Sequence, residues 1–312
     1  MEKLRGSLRK NKTEIVSAGG KNQQQFSLSL QQNQTINMKT FLVPTDFSDT
    51  SKNAARYAAN IAKQYPDVHI ILYNVSDEFA TGSDSSPVED ETHSRRKIME
   101  LALESIKNEL SAITSSKIST VAEEDNSFID ALERFSRHHS VDLIIMGITG
   151  STRVEQILMG SNTLKIVKRN TCPVMIVPPH ALFKGIQDIL MTSDFKDVER
   201  TTPVKPLQKI LDLFKANLHV VNVDHEHYVE LTDEYKAERS KLEKMLQPYN
   251  PQFYFIRLYD FVDAVNQFVE DKEIDLIVTI PKTHSFLNSM FRMSNTKKLA
   301  YHSHVPIIAI HA

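Results

Sequence analysis

Two stretches of the sequence hold the residues whose types and spacing could do chemistry. One reads Pro44-Thr45-Asp46-Phe47-Ser48; the other begins Gly147-Ile-Thr-Gly150, runs nine residues further, and ends Gly160-Ser161-Asn162-Thr163. The chain has only eight glycines in 312 residues, so three within this second stretch ask for a cause. Glycine lets a backbone approach an anion closely. A helix starting just after Gly160 would turn free N–H groups, its positive end and the Ser161 and Thr163 hydroxyls toward phosphates. Asp46 is the carboxylate that could meet a metal ion carried by such phosphates. The other reading gives the glycines to turns and a helix start, with no ligand at all.

These stretches need elements to position them. In an open parallel sheet, ligands sit beyond the C-terminal ends of the strands, where the strand order reverses. Strands are expected near 40–43, 69–75, 118–122, 141–146 and 173–177, so the two stretches follow the first and fourth strands. Ser48 is a good N-cap for a helix that turns Ala54, Ala55, Ala58, Ile61, Ala62 and Tyr65 toward the sheet. Helical spacing also fits 127–138. The continuous apolar run Leu143-Ile-Ile-Met146 suits a strand covered on both faces.

The chain then repeats itself. Phe41–Asp49 aligns with Ile189–Asp197 at an offset of 148, which also pairs Tyr73-Asn-Val75 with Val221-Asn-Val223. At an offset of 133, Phe128-Ile-Asp-Ala-Leu132 matches Phe261-Val-Asp-Ala-Val265, and Asp142-Leu-Ile-Ile145 matches Asp275-Leu-Ile-Val278. Second-unit strands are expected near 189–192, 218–223, 253–258, 275–279 and 306–310. The fold class is therefore α/β, as two tandem doubly wound, Rossmann-like domains over 38–180 and 181–312, each with a five-stranded, mostly parallel sheet. Residues 1–37 carry six Lys or Arg, two Glu and six Gln without periodicity, and read as a disordered extension.

The spacing Gly-x-x-Gly-x9-Gly-Ser after a buried fourth strand, joined to Pro-Thr-Asp-x-Ser after the first, resembles the ATP-binding branch of the universal stress protein family. The resemblance runs from Met38 to the C-terminus. It implies that Gly147, Gly150, Gly160 and Ser161, with Asn162 and Thr163, hold ribose and phosphates. It places Asp46 and its neighbours on the adenine and ribose side, and the implied binding set includes Pro44, Thr45, Val75 and Met146. It also implies fifth strands that mediate dimer contact, here an intramolecular pseudo-dimer or a homodimer.

The second unit departs from this pattern, for Gly147, Gly150 and Gly160 fall on Ile280, Thr283 and Met293. Close approach and positive φ become costly there, and its phosphate loop is read as dead. Ser294, Asn295, Thr296 and Asp194 persist, but helix capping explains them. His225-Glu-His227 and His302-Ser-His304 lack an assured third ligand, so surface or structural roles are expected. Cys172 reads as a small hydrophobe at a strand entry, and Lys165, Lys168 and Arg169 as a solvated helix end. No Gly-x4-Gly-Lys-Ser/Thr loop, Gly-x-Ser-x-Gly elbow or His-Glu-x-x-His motif occurs.

Composition narrows the function classes. The 37 basic residues nearly cancel the 39 acidic ones, which gives no field for nucleic acid or an anionic membrane. A single cysteine excludes an intramolecular disulfide framework and fits a reducing cytoplasm. No apolar run is long enough for a transmembrane helix. The expected function is an ATP-binding stress-response protein, with Mg²⁺ carried by the nucleotide at Asp46. It would act as a nucleotide-dependent switch toward protein partners the sequence does not name, with at most slow hydrolysis rather than dedicated catalysis. The rivals are an interaction scaffold that ignores nucleotide and an adenylating or hydrolysing enzyme of the same superfold.

Overall fold

The protein is represented by a computed structural model that describes residues 39–76, 89–147, 165–167, 169, 172–223, 232–257, 261–280 and 305–311. Its first half runs β1 (Lys39–Pro44), α1 (Asp49–Gln64), β2 (Val68–Ser76), α2 (Glu89–Ser111), β3 (Lys117–Glu124), α3 (Phe128–His138), β4 (Leu143–Gly147) and β5 (Val174–Val177). The second half runs β6 (Asp188–Thr192), α4 (Val198–Thr201), α5 (Val204–Phe214), β7 (Asn217–Val223), α6 (Asp233–Leu246), β8 (Gln252–Ile256), α7 (Phe261–Asp271), β9 (Leu276–Thr279) and β10 (Ile307–Ala309). All ten expected strands are present, with ends shifted by a residue or two. Among the described residues no helix is long and apolar enough to cross a membrane.

The ten strands form one sheet in the order β3-β2-β1-β4-β5-β10-β9-β6-β7-β8. Within each half all neighbours are parallel, and the order reverses between the first and fourth strands of the half. The fold is thus α/β and doubly wound, and in the first half the reversal lies between β1 and β4. The two fifth strands pair with each other antiparallel, Ile307 opposite Ile176 and Ala309 opposite Val174. Of the two pairings expected for these strands, the chain uses the internal one.

The helices follow from their apolar periodicity. Helix α1 begins at the expected cap, where the Ser51 N–H donates to Ser48 Oγ at 3.3 Å. It buries Ala54, Ala55, Ala58, Ile61 and Ala62 as expected, while Tyr65 stays half-buried. Helix α3 is capped by Ser127 in the same way. One core lies under α1, α2, α5 and α6 and includes Phe41, Leu72, Leu110, Met175, Ile308, Leu211 and Leu246. The other lies under α3 and α7 and includes Leu42, Tyr73, Leu132, Ile176, Ala309 and Phe268. Both cores run unbroken through β5 and β10.

The counterpart of α1 in the second half differs. It starts as the four-residue α4, whose cap Asp197 sits at φ 50° without a side-chain cap bond, and breaks at Thr202-Pro203 before α5. Proline has no N–H to continue a helix and disfavours helical backbone in the residue before it.

Because both cores cross the central strand pair, the full chain should unfold in a single calorimetric transition over the described sheet. Ile308→Ala, at a fully buried position, should lower stability by about 2–5 kcal/mol and shift that transition as a whole. Two separated transitions would show that the halves melt independently.

Candidate functional site

The loop after β1 is built by its own polar side chains. The Thr45 N–H donates to the Tyr73 carbonyl at 2.8 Å, continuing the β1–β2 ladder by one residue. Phe47 then turns into the left-handed region at φ 65°. Its N–H donates to Thr45 Oγ1 at 3.1 Å, and Thr45 Oγ1 in turn lies 3.0 Å from Ser51 Oγ. Asp46 Oδ1 accepts from the Ser48 N–H at 3.1 Å and from the Ser48 hydroxyl at 2.5 Å. Ser48 therefore caps α1 and orients the Asp46 carboxylate together. Asp46 itself is exposed, whereas Pro44 and Thr45 are buried.

The charge of Asp46 is fixed by opposing effects. Partial desolvation pushes its carboxyl up, but hydrogen bonds from the Ser48 hydroxyl, the Ser48 N–H and the Ser51 hydroxyl outweigh this and hold it below the ordinary carboxylate value. It is ionised at neutral pH. Among the described residues no group of three or more His, Cys, Asp or Glu side chains is arranged to hold a metal ion.

Gly147 closes β4 directly beside this loop. A Cβ there would stand 2.6 Å from the Thr50 carbonyl carbon, and closer still to its oxygen, so no side chain fits. The glycine is thus required by the approach of α1 to β4. Its backbone is not in the positive-φ region, so of the two reasons expected for glycine at this position only close approach applies. Met146 is buried beneath the sheet on the α3 face, and Val75 is half-buried on the same face at the end of β2. There the Tyr73 hydroxyl donates to Glu123 Oε2 at 2.6 Å, and Arg134 bridges Glu123 and Asp125.

The structure thus brings Pro44, Thr45, Asp46, Val75, Met146 and Gly147 together around the ends of β1, β2 and β4. Gly150, Gly160, Ser161, Asn162 and Thr163 lie outside the described residues, as do His225, His227, His302, His304, Lys168, Thr283 and Met293–Thr296. Arg169 pairs with Asp130 at 3.0 Å and Glu133 at 3.1 Å, tying it to α3. Lys165 is exposed and Cys172 half-buried.

Sequence reasoning missed Asn74. It is 7% exposed, and its Nδ2 donates to the Thr45 carbonyl at 2.8 Å, holding the loop to β2, while its Oδ1 is buried without a hydrogen-bond partner. Asn222 repeats this on the Ser193 carbonyl at 2.8 Å, and its Oδ1 is likewise buried and unpaired. The available signal was the recurrence of Asn in the repeat, in strands otherwise apolar at that face. The second half also keeps the loop turn, with Phe195 at φ 49° and the Phe195 N–H donating to Ser193 Oγ at 3.2 Å. It does not keep the glycine contact. Ile280 packs instead against the core that contains Phe195 and Val198, where the broken start of α4 replaces the start of α1.

Comparison with known proteins places this geometry. Residues 37–178 match the family model described as "Universal stress protein family". Universal stress protein MJ0531 of Methanocaldococcus jannaschii is 32% identical over 149 residues, covering 45% of this chain and 81% of that one. The chain belongs to the universal stress protein family. A second relative, universal stress protein MJ0577 of the same organism, is 28% identical over 159 residues, covering 46% of this chain and 96% of that one. The crystal structure of a universal stress protein from Archaeoglobus fulgidus DSM 4304 covers 88% of this chain and 99% of its own, with TM-score 0.63 and 16% identity. At that identity it speaks for the fold, across both halves.

Two outcomes test the geometry of this universal stress protein site. Gly147→Ala should cost about 1–3 kcal/mol in urea denaturation without any ligand, because the α1 start must move. The carboxyl of Asp46 has a folded-state pKa below its unfolded value, so its charge stabilises the fold above about pH 4 and that contribution is lost as pH falls through the folded value. Asp46→Asn, which keeps a neutral acceptor, should therefore be less stable than the parent at pH 7, with the difference closing in acid.

Proposed function

We propose that the first half binds ATP in the crevice between β1 and β4, and that the protein acts as a nucleotide-dependent regulatory or interaction switch in the stress response. The observation that carries this reading is the pairing, at the strand-order reversal, of an oriented, ionised Asp46 with a β4 end that bears no side chain. Asp46 suits ribose hydroxyls, or Mg²⁺ accompanying the phosphates. Gly150, Gly160, Ser161, Asn162 and Thr163 would hold ribose and phosphates, with Val75 and Met146 beside the base. ATP would supply charge and binding energy rather than a reaction, with at most slow hydrolysis. A ligand shifts such a protein only by its differential affinity for two states.

The second half supports this reading by contrast. Its β6 loop is retained, while Ile280 fills the place of Gly147 with apolar packing, so it serves as a structural or regulatory partner to the first. The domain division at 38–180 and 181–312, and a cytoplasmic location, belong to the same proposal. One observation favours a second reading, a scaffold that ignores nucleotide: Gly147 is needed for the approach of Thr50 whether or not a ligand is present.

Denaturing the purified full chain and quantifying released nucleotide by chromatography separates the two. ATP binding in the first half predicts about one adenine nucleotide per chain, or a clear thermal shift on adding Mg-ATP, both abolished in Gly160→Met. No nucleotide and no shift would leave the scaffold reading. About two per chain would return the second half to the list of sites.

A further inference from the structure

The two halves repeat strand for strand, so a polar group in one can be compared with its counterpart in the other. Asp142, just before β4, accepts the Thr40 N–H on Oδ2 at 3.1 Å and Lys209 Nζ on Oδ1 at 2.9 Å. That ammonium comes from α5 of the opposite half. Asp275, at the same place before β9, accepts the Gln187 and Asp188 N–H groups on Oδ2 at 2.7 and 3.1 Å. No cation pairs with it among the described residues.

Asp275 instead borders a cleft of about 730 Å³, within the size range of small-molecule sites. Its floor includes Tyr57 of α1, only 4% exposed and held edge-to-face against Phe183. The Tyr57 hydroxyl makes no hydrogen bond among the described residues. Burial and the Asp275 charge push its phenol up, so it stays protonated. Glu273 and Asp188 add two more carboxylates to the lining, against the ammonium of Lys184 and the imidazole of His180. Asp188 is already engaged by His219 Nε2 at 2.8 Å and Asn217 Nδ2 at 3.1 Å, which leaves Asp275 Oδ1 and Glu273 as open acceptors. Ile274, Val305, Pro306 and the exposed Leu182 supply apolar wall. Open carboxylate oxygens beside an apolar wall suit a cation that carries a hydrocarbon stem.

We propose that this cleft binds a small aliphatic primary amine, whose ammonium occupies at Asp275 the place that Lys209 fills at Asp142. The three N–H donors of an ammonium match Asp275 Oδ1, the Glu273 carboxylate and the Tyr57 oxygen. The methylene chain lies along Ile274, Val305 and Pro306. The site lies at the start of β6, β9 and β10 and uses none of the residues assigned to nucleotide, so it stands or falls apart from ATP binding.

Isothermal titration of the full chain, without nucleotide, tests this with putrescine, n-butylamine and 1-butanol as probes. Both amines should bind with heat that weakens with added salt, and 1-butanol should not. Asp275→Asn keeps an oxygen for the two backbone N–H groups and should weaken amine binding about tenfold, the loss of one charge-assisted hydrogen bond. Glu273→Gln changes an exposed side chain and keeps its size. It should weaken binding several-fold and remains informative should Asp275→Asn fail to fold. Asp142→Asn should leave amine affinity unchanged. Absence of amine binding at millimolar concentration, equal binding of 1-butanol, or affinity unchanged in both cleft variants would overturn the proposal.

Discussion

The antiparallel pairing of β5 with β10 joins two five-stranded parallel halves into one sheet, and the rest of the architecture is organised about it. Parallel sheets need cover on both faces; among the described residues α1, α2, α5 and α6 cover one face, and α3 and α7 the other. Met175 and Ile176 on β5, with Ile308 and Ala309 on β10, then carry both cores across the joint. The same pairing gives β5 and β10 a neighbour on each side. Neither fifth strand presents a free edge, so any association between copies of the chain must use another surface.

Within the first half, α1 links the parts that matter. Its N-terminal turn carries the Ser48 cap that orients Asp46, and its Thr50 carbonyl fixes what β4 can end on. Further along, Asn53 Nδ2 donates to the Pro178 and Ala181 carbonyls at 3.1 and 3.3 Å, pinning the segment between the halves. The Tyr65 hydroxyl reaches the Phe214 carbonyl of α5 at 3.3 Å. One helix thus touches the nucleotide-side loop, the connecting segment and the opposite half. The second half has no such helix at the matching place, because Thr202-Pro203 divides it. Its β6 loop keeps its form through Asn222 and Ser193, while the neighbouring β9 end is free to carry isoleucine.

Much of this was legible in the sequence, because the signals were local. Strands read from β-branched runs, caps from Ser48 and Ser127, and the repeat from shared short motifs. The side of the sheet that carries the candidate site followed from the order of the elements. What could not be read arises from contacts between residues distant in sequence. The reason for Gly147 is the Thr50 backbone, nearly a hundred positions away, and the role of Asn74 depends on a carbonyl in another loop. Positive φ was expected along with close approach at Gly147, and only the second holds, since sequence does not distinguish a glycine needed for its backbone angle from one needed for lack of a side chain. The break in the helix after β6 had Pro203 as its signal, but the consequence for Ile280 required the two to be seen side by side.

The central joint also has a consequence for how the protein is made. β5 ends at Val177, and its partner β10 starts at Ile307, so about 130 residues must be synthesised between them. At about 5–20 residues per second, that is on the order of ten seconds. Throughout that interval the first half can complete its own five strands, but it presents the apolar, unpaired backbone edge of β5 to everything around the ribosome. Such edges template pairing with other chains. The stretch of synthesis between these two short strands is therefore the period in which the β5 edge is open to pairing with other chains.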